Sequence, residues 1–357
     1  MKFTLNTAEF KSGAEKLLKL SPVSNVPATE SVRLTIKGKN CCLSATNTTQ
    51  SVTTQIVAKS KANVDIVLTE IKTLAKAMKY FTAEEIEFEC SGTTLHITCG
   101  GRKATKELID IALFPLIPAV GKKINNAVIY NNKTLKERFN TIKYAIADDT
   151  PRPVLTGVYF NGSDIVGLDG HKLAVNTDKE LNIKSAFTVP SNTIKLVNDV
   201  LGDEIQVIND SKYIEFKDEN TTVMSKLLEG EYPKYGDIIS KKGKMIMNVN
   251  AKEFVNSLNY LKTFKPAKEK LLAHWSGDTI KNADGTADSK IIVDDPAVLD
   301  IEIGFNADYM IDALSQFKDD VKIHVESANS PMILTYDKGD ITAVVLPVRI
   351  KSNERAG

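Results

Sequence analysis

One kind of segment returns about every 60 residues along this chain, six times over. The copies begin near Asn6, Thr69, Asn132, Ser191, Asn250 and Asn306. Each opens on a polar residue and continues with apolar side chains at helical spacing. Asn, Ser and Thr suit such openings because their side-chain oxygens accept the unpaired amide protons of a first helical turn. Short alternating stretches lie between the copies, and Glu85–Cys90, Thr94–Thr98, Ile205–Ile208 and Tyr213–Lys217 read as strands. Self-similarity at a fixed period constrains architecture more than any single motif does, and it predicts a pseudo-symmetric object built from six similar units.

At 357 residues the chain is too long for one ordinary core and suits about two or three domains. Helix pairs divide it near 1–123, 124–243 and 244–357. The joints would be the basic, glycine-containing stretches Gly121–Lys123 and Ser240–Lys244. Leu113-Phe114-Pro115 near the first joint is echoed by Glu231-Tyr232-Pro233 near the second. Within each third the order is strand, helix, several strands, helix, several strands, which predicts an α+β fold and not a doubly wound parallel sheet.

The predicted helices are two-sided. Ile71, Leu74, Ala75 and Met78 share one face, while Lys72, Lys76 and Lys79 form a stripe of their own. Leu135, Phe139 and Ile142 oppose Lys133, Lys136, Asn140 and Lys143 in the same way. The formal net charge is only +1, yet the six helical segments together hold fifteen Lys/Arg and eight Asp/Glu. Positive charge therefore gathers on the helices and negative charge elsewhere. A lysine face is commonly a solubility device, but its recurrence on equivalent elements points to a shared anionic partner.

Hydrophobic content of 42% with 25% charged residues is that of a globular protein. The opening MKFTLNTAEFKSG has no apolar core of a secretory signal, and no window approaches the roughly 18 apolar residues of a membrane helix. A cytoplasmic protein is expected. The four cysteines, Cys41, Cys42, Cys90 and Cys99, lack metal or redox spacing and read as buried free thiols in a reducing compartment. Phosphate-binding, dinucleotide-binding, zinc-protease and nucleophile-elbow motifs are all missing. His96, His171, His274 and His324 are scattered, so no metal or cofactor is expected. Asp169-Gly170-His171 is the one segment of catalytic appearance, since it places a carboxylate beside an imidazole as a hydrolase would, but no Ser or Cys nucleophile accompanies it.

Asp149-Thr150-Pro151-Arg152-Pro153-Val154-Leu155-Thr156-Gly157-Val158-Tyr159-Phe160, followed by Asp169-Gly170-His171-Lys172-Leu173-Ala174, resembles the second domain of the bacterial sliding clamp, the beta subunit of DNA polymerase III. Glu229-Gly230-Glu231-Tyr232-Pro233-Lys234-Tyr235 resembles the end of that domain. Ile303-Gly304-Phe305-Asn306 and Val344-Val345-Leu346-Pro347-Val348-Arg349-Ile350 resemble the third domain and its closing strand. MKFTL at the start also fits. Departures fall in the first third, at Ser21–Pro27 and Thr46–Thr49. Two more are Leu168 and Lys172, where the family usually has Thr and Arg. Such drift suits a divergent member, or one carried by a mobile element.

The resemblance implies three similar domains of two helices each against antiparallel sheets. It implies a head-to-tail homodimer whose six domains encircle duplex DNA, and a non-catalytic processivity factor in DNA replication. Lys11, Lys72, Lys76, Lys79, Lys133, Lys136, Lys143, Lys195 and Lys252 would face DNA through sequence-independent phosphate attraction. A pocket built from Leu155, Gly170, His171, Leu173, Pro233, Ile238, Val344, Leu346, Pro347, Val348 and Arg349 would hold short hydrophobic motifs of the replicative polymerase, the clamp loader and other clients. The same apolar residues, taken alone, would also suit a packed domain junction. Tyr260 and Leu261 match one side of the dimer contact by position, with the stretch Arg102–Leu108 opposite. Without the resemblance, a repeat scaffold binding only proteins stays open, and so does a hydrolase using Asp169 and His171. The polar tail 351–357 reads as disordered.

Overall fold

The computed structural model describes residues 1–22, 27–122, 128–265, 270–336 and 339–350. The tail from 351 onward, Lys123 of the first joint and most of the Ser21–Pro27 departure lie outside the described residues. All six recurrent segments are helices close to their expected places, the first five being α1 Thr7–Leu17, α2 Ile71–Ala77, α3 Asn132–Ile142, α4 Ser191–Val200 and, after a short α5 at Gly236–Ile239, α6 Ala251–Lys262. The sixth is α7, Ala307–Leu314. Asn6, Asn250 and Asn306 cap their helices as expected, accepting from the amides of Glu9, Glu253 and Asp308 at 3.0, 3.1 and 2.9 Å.

Two caps differ from expectation. Thr69 donates its hydroxyl to the carbonyl of Glu107, and the residue before α2 is Glu70, left-handed at φ 51° with its carboxylate held by Lys106. At α3 the cap is Asn131, which accepts from Thr134 N–H at 3.0 Å. Asn132 is buried instead and donates to the carbonyl of Leu201.

Contacts divide the chain into two compact units, Met1–Lys136 with Asn192–Leu228, and Glu137–Ser191 with everything after Leu228. The first unit is organised by one ten-stranded antiparallel sheet. Its spine is a hairpin of two long strands, Val32–Thr46 and Gln50–Leu68, rich in the β-branched residues that fit a half-buried pleat. Thr46–Thr49 makes the hairpin turn. Asn47 Oδ1 accepts from the amides of Thr49 and Gln50, and Thr48 takes a positive φ of 75°. Helix α1 lies on this hairpin through Phe10, Gly13, Ala14 and Leu17. A Cβ at position 13 would stand 2.9 Å from Leu43 Cδ1, so glycine there lets the helix approach without displacing that methyl group. Val52 pairs with Val223, which carries the sheet across sequence positions far apart. Gln50 then donates to Thr193 Oγ1 at 2.6 Å and fixes the start of α4.

The second unit holds an eight-stranded and a five-stranded sheet, both antiparallel. In the larger, strand Lys172–Thr177 pairs with Ile341–Val345; in the smaller, Ile303–Asn306 pairs with Pro347–Val348. Helices α6 and α7 pack together over a core containing Phe254, Leu258, Leu261, Trp275, Phe305, Met310 and Leu314. Phe254 meets Trp275 edge-on at 5.3 Å, and Trp275 donates its indole N–H to the carbonyl of Gly277. The α+β class with helices against antiparallel sheets is thus the observed one. Backbone pairing joins segments far apart in sequence within each unit, Thr54 to Thr221 in the first and Leu173 to Val344 in the second.

Candidate functional site

Segments distant in sequence converge in the second unit. Leu173 faces Val344 across one strand pair and Leu168 across the other, while Ile333 faces Val344 from the far side. A 3-10 turn at Pro153–Thr156 adds Val154 and Leu155, and α5 adds Ile238 and Ile239. The result is one apolar cluster containing Leu155, Leu173, Val344 and, at its half-buried margin, Ile238. Leu155, Leu173 and Val344 are 6%, 2% and 1% exposed, so they form the floor.

Tyrosines brace this floor. Tyr159 stacks on Tyr232 at 4.2 Å, and Tyr235 donates its phenol to Asp164 Oδ2 at 2.7 Å. Burial, then that hydrogen bond, raises the Tyr235 phenol above its usual range. Pro233 is half-buried and its carbonyl accepts from Tyr235 N–H.

The rim begins at the Asp169-Gly170-His171 turn. Asp169 Oδ1 accepts from the amides of His171 and Lys172, both at 2.7 Å, and Gly170 adopts φ 94°, which its missing Cβ permits. His171 is exposed and stacks on Tyr309 of α7 at 5.8 Å and 23°. Its carbonyl accepts from Leu346 N–H at 3.0 Å, bringing the closing strand to the turn. Pro347 and Val348 then pair with Phe305 and Gly304, and a Cβ at Gly304 would stand 2.7 Å from the Val348 carbonyl oxygen. Leu346, Pro347 and Val348 are half-buried, and Arg349 is exposed.

The Asp169 carboxylate caps backbone amides and faces Lys172, and the His171 ring faces Tyr309. The carboxylate–imidazole dyad expected of a hydrolase is therefore not what this turn builds. Among the described residues, no three His, Cys, Asp or Glu gather as metal ligands. The cysteines are free, Cys41 and Cys99 buried and Cys42 and Cys90 only half-buried. Among the described residues no helix is long and apolar enough to cross a membrane.

Of the lysines expected to face DNA, Lys72, Lys76, Lys79, Lys133, Lys136, Lys143, Lys195 and Lys252 are exposed, whereas Lys11 is half-buried. The apolar faces beneath them are buried at Ile71, Leu74, Met78, Leu135 and Ile142. The expected contact residue Leu261 is corrected: it is fully buried with Phe254 and Leu258 on the inner face of α6 and offers no surface. The exposed pair on that helix and its end is Tyr260 with Phe264, 49% and 51% exposed and edge-on at 5.1 Å.

Sequence reasoning missed Tyr309, Asp312, Tyr144 and the side chain of Lys172. They meet beside the rim through tertiary packing, and no spacing along the chain announces them.

The family model for the central domain of the DNA polymerase III beta subunit matches residues 130–234. A protein of Staphylococcus epidermidis named beta sliding clamp is 23% identical, with 98% of this chain and 99% of that protein covered. Two solved structures are similar over 98% of this chain at 19% identity. They are the DNA polymerase III subunit beta of Pseudomonas aeruginosa, with a TM-score of 0.86 and all of that chain covered, and the DNA polymerase sliding clamp of Bacillus subtilis, with a TM-score of 0.84 and 99% of that chain covered. The chain is thus similar end to end to beta sliding clamps, and its centre matches the central domain of the DNA polymerase III beta subunit.

Proposed function

We propose that the protein is a DNA sliding clamp, which encircles duplex DNA and tethers a replicative polymerase without making or breaking a bond. The observation that carries this reading furthest is the apolar cluster of Leu155, Leu173, Val344 and Ile238 beneath the His171–Leu346 rim, in a chain related to beta sliding clamps over nearly its whole length. A short peptide with one or two hydrophobic anchors suits such a floor, and a few polar groups on the rim would fix its backbone. Clients would include the polymerase and the clamp loader, in the cytoplasm on the nucleoid.

Three domains near 1–123, 124–243 and 244–357 and a head-to-tail dimer complete the proposal. Two chains would close the ring, and Tyr260 with Phe264 would sit at the contact between subunits. Exposed lysines on α2, α3, α4 and α6 would attract phosphates without reading sequence. Topological closure, and not tight contact, would retain the protein on DNA. The test is retention. A dimer near twice 39.2 kDa, loaded on nicked circular DNA, should stay bound and should leave once the circle is linearised. Equal retention on both forms would sink the encircling mechanism.

A further inference from the structure

We infer that Lys172 is a positioning residue that locks Tyr309, and through it His171, at the rim of the peptide site without touching the peptide; the inference rests on the reading of that site given above. Lys172 is 9% exposed and pairs with Val345 in the strand ladder. Its Nζ lies 3.3 Å from Asp312 Oδ2 and 3.6 Å from Asp169 Oδ2. The same ammonium stands 4.9 Å from the ring centre of Tyr309 and 5.7 Å from that of Tyr144.

Three separate segments therefore converge on one cation: the Asp169 turn, helix α7 and the end of the α3 segment. Tyr309 and Asp312 are three residues apart on α7, so they lie on one face, and a cation that holds both fixes the rotation of the helix. Asp169 is divided in its duties. One oxygen takes the two amides of the turn and the other faces Lys172. Tyr309 in turn is held by Lys172 through its ring and stacks on His171. The Tyr144 hydroxyl is buried there with no hydrogen-bond partner, which leaves the ammonium as the polar group that the cage is built around. Removing the cation takes away the group that holds the Tyr309 ring, while Asp169 keeps its two turn amides and Asp312 its access to water, so the rim loses its shape while the apolar floor stays.

The experiment uses the full chain, an N-terminally fluorescein-labelled peptide ending in Leu-Phe, and the ¹H–¹³C ring signals of His171. Lys172→Met should weaken the peptide at least about tenfold, and Lys172→Arg should keep it within about threefold. On a Tyr309→Ala background Lys172→Met should add less than about twofold, because both act through one ring. The His171 signals of Lys172→Met should move toward those of Tyr309→Ala, with or without peptide. Unmoved His171 signals, or effects of the two changes that multiply, would overturn the inference. Should the wild type bind no peptide while Lys172→Met still moves the His171 signals, the positioning role stands and the peptide reading falls. If Lys172→Met does not fold, Asp312→Asn is judged by the same criteria.

Discussion

Leu346 donates its backbone N–H to the carbonyl oxygen of His171 at 3.0 Å, a bond between residues 175 positions apart in sequence. It continues the ladder in which Leu173 faces Val344, so the exposed imidazole and the half-buried Leu346 side chain stand on one rigid edge. A site assembled on paired strands is held more tightly than one on free loops. Its response to mutation should therefore separate floor from rim.

The lysine stripes give a first expectation. Changing Lys72, Lys76, Lys136 and Lys143 together to Glu should weaken low-salt DNA association and reduce the slope of log affinity against log salt by about three or four, since each phosphate neutralised contributes about 0.9. All four are exposed, and such positions usually shift stability by less than about 0.5 kcal/mol each. Filter binding across a salt series is the measurement. An unchanged slope would remove these helices from the DNA path.

Tyr260 and Phe264 give a second. Two half-exposed aromatic rings in edge contact are a large apolar surface for a monomer to leave in water. Changing both to Ser should convert the dimer to monomer in sedimentation velocity, with the thermal transition of the monomer retained. A dimer that survives the double change would place the subunit contact elsewhere.

His324 carries a pH expectation. It is 8% exposed, its Nε2 lies 2.9 Å from Thr335 Oγ1, and its Nδ1 is buried with no partner. Burial first, then Lys242 and Lys322, lowers its pKa below 6.5. Below that value the unfolded chain takes up a proton that the folded chain refuses, so stability falls as pH falls from about 6.5 toward 5. His324→Gln should lose less thermal stability than wild type between pH 7.5 and pH 5. Identical losses would show that another group governs the acid limb.

How much of this was legible in the sequence follows from what is local and what is not. Caps at Asn6, Asn250 and Asn306 were readable because capping needs only the next three residues. Thr69 and Asn132 misled because a left-handed Glu70 and a tertiary bond to Leu201 displaced them. Phe254, Leu258 and Leu261 fall at helical spacing, which by itself marks Leu261 as core; reading it by its place in the family put it on the surface. Leu155, Leu173 and Val344 lie in the motifs that carry the resemblance, and their meeting depends on a strand pairing between residues far apart in sequence. Tyr309 and Lys172 were invisible as partners, since a cation between two rings leaves no periodic trace.

The floor and rim of the peptide site make the last expectation. Leu346 is half-buried at the rim, whereas Leu155 is 6% exposed within the floor. Leu346→Ala should therefore weaken a Leu-Phe peptide while barely changing stability, because the lost contact is with the ligand. A fully desolvated anchor side chain is worth about 1.5–3 kcal/mol, or about ten- to a hundredfold in affinity, and a truncated rim should lose a part of that. Leu155→Ala should weaken the same peptide and also lower the denaturation midpoint, since a buried Leu→Ala change costs about 2–5 kcal/mol of stability. Together the two changes should abolish binding at micromolar peptide in fluorescence anisotropy, with the dimer intact in sedimentation. Unchanged affinity in the folded double variant would put the client site elsewhere, and a dissociated dimer would return Leu155 and Leu346 to a purely structural role.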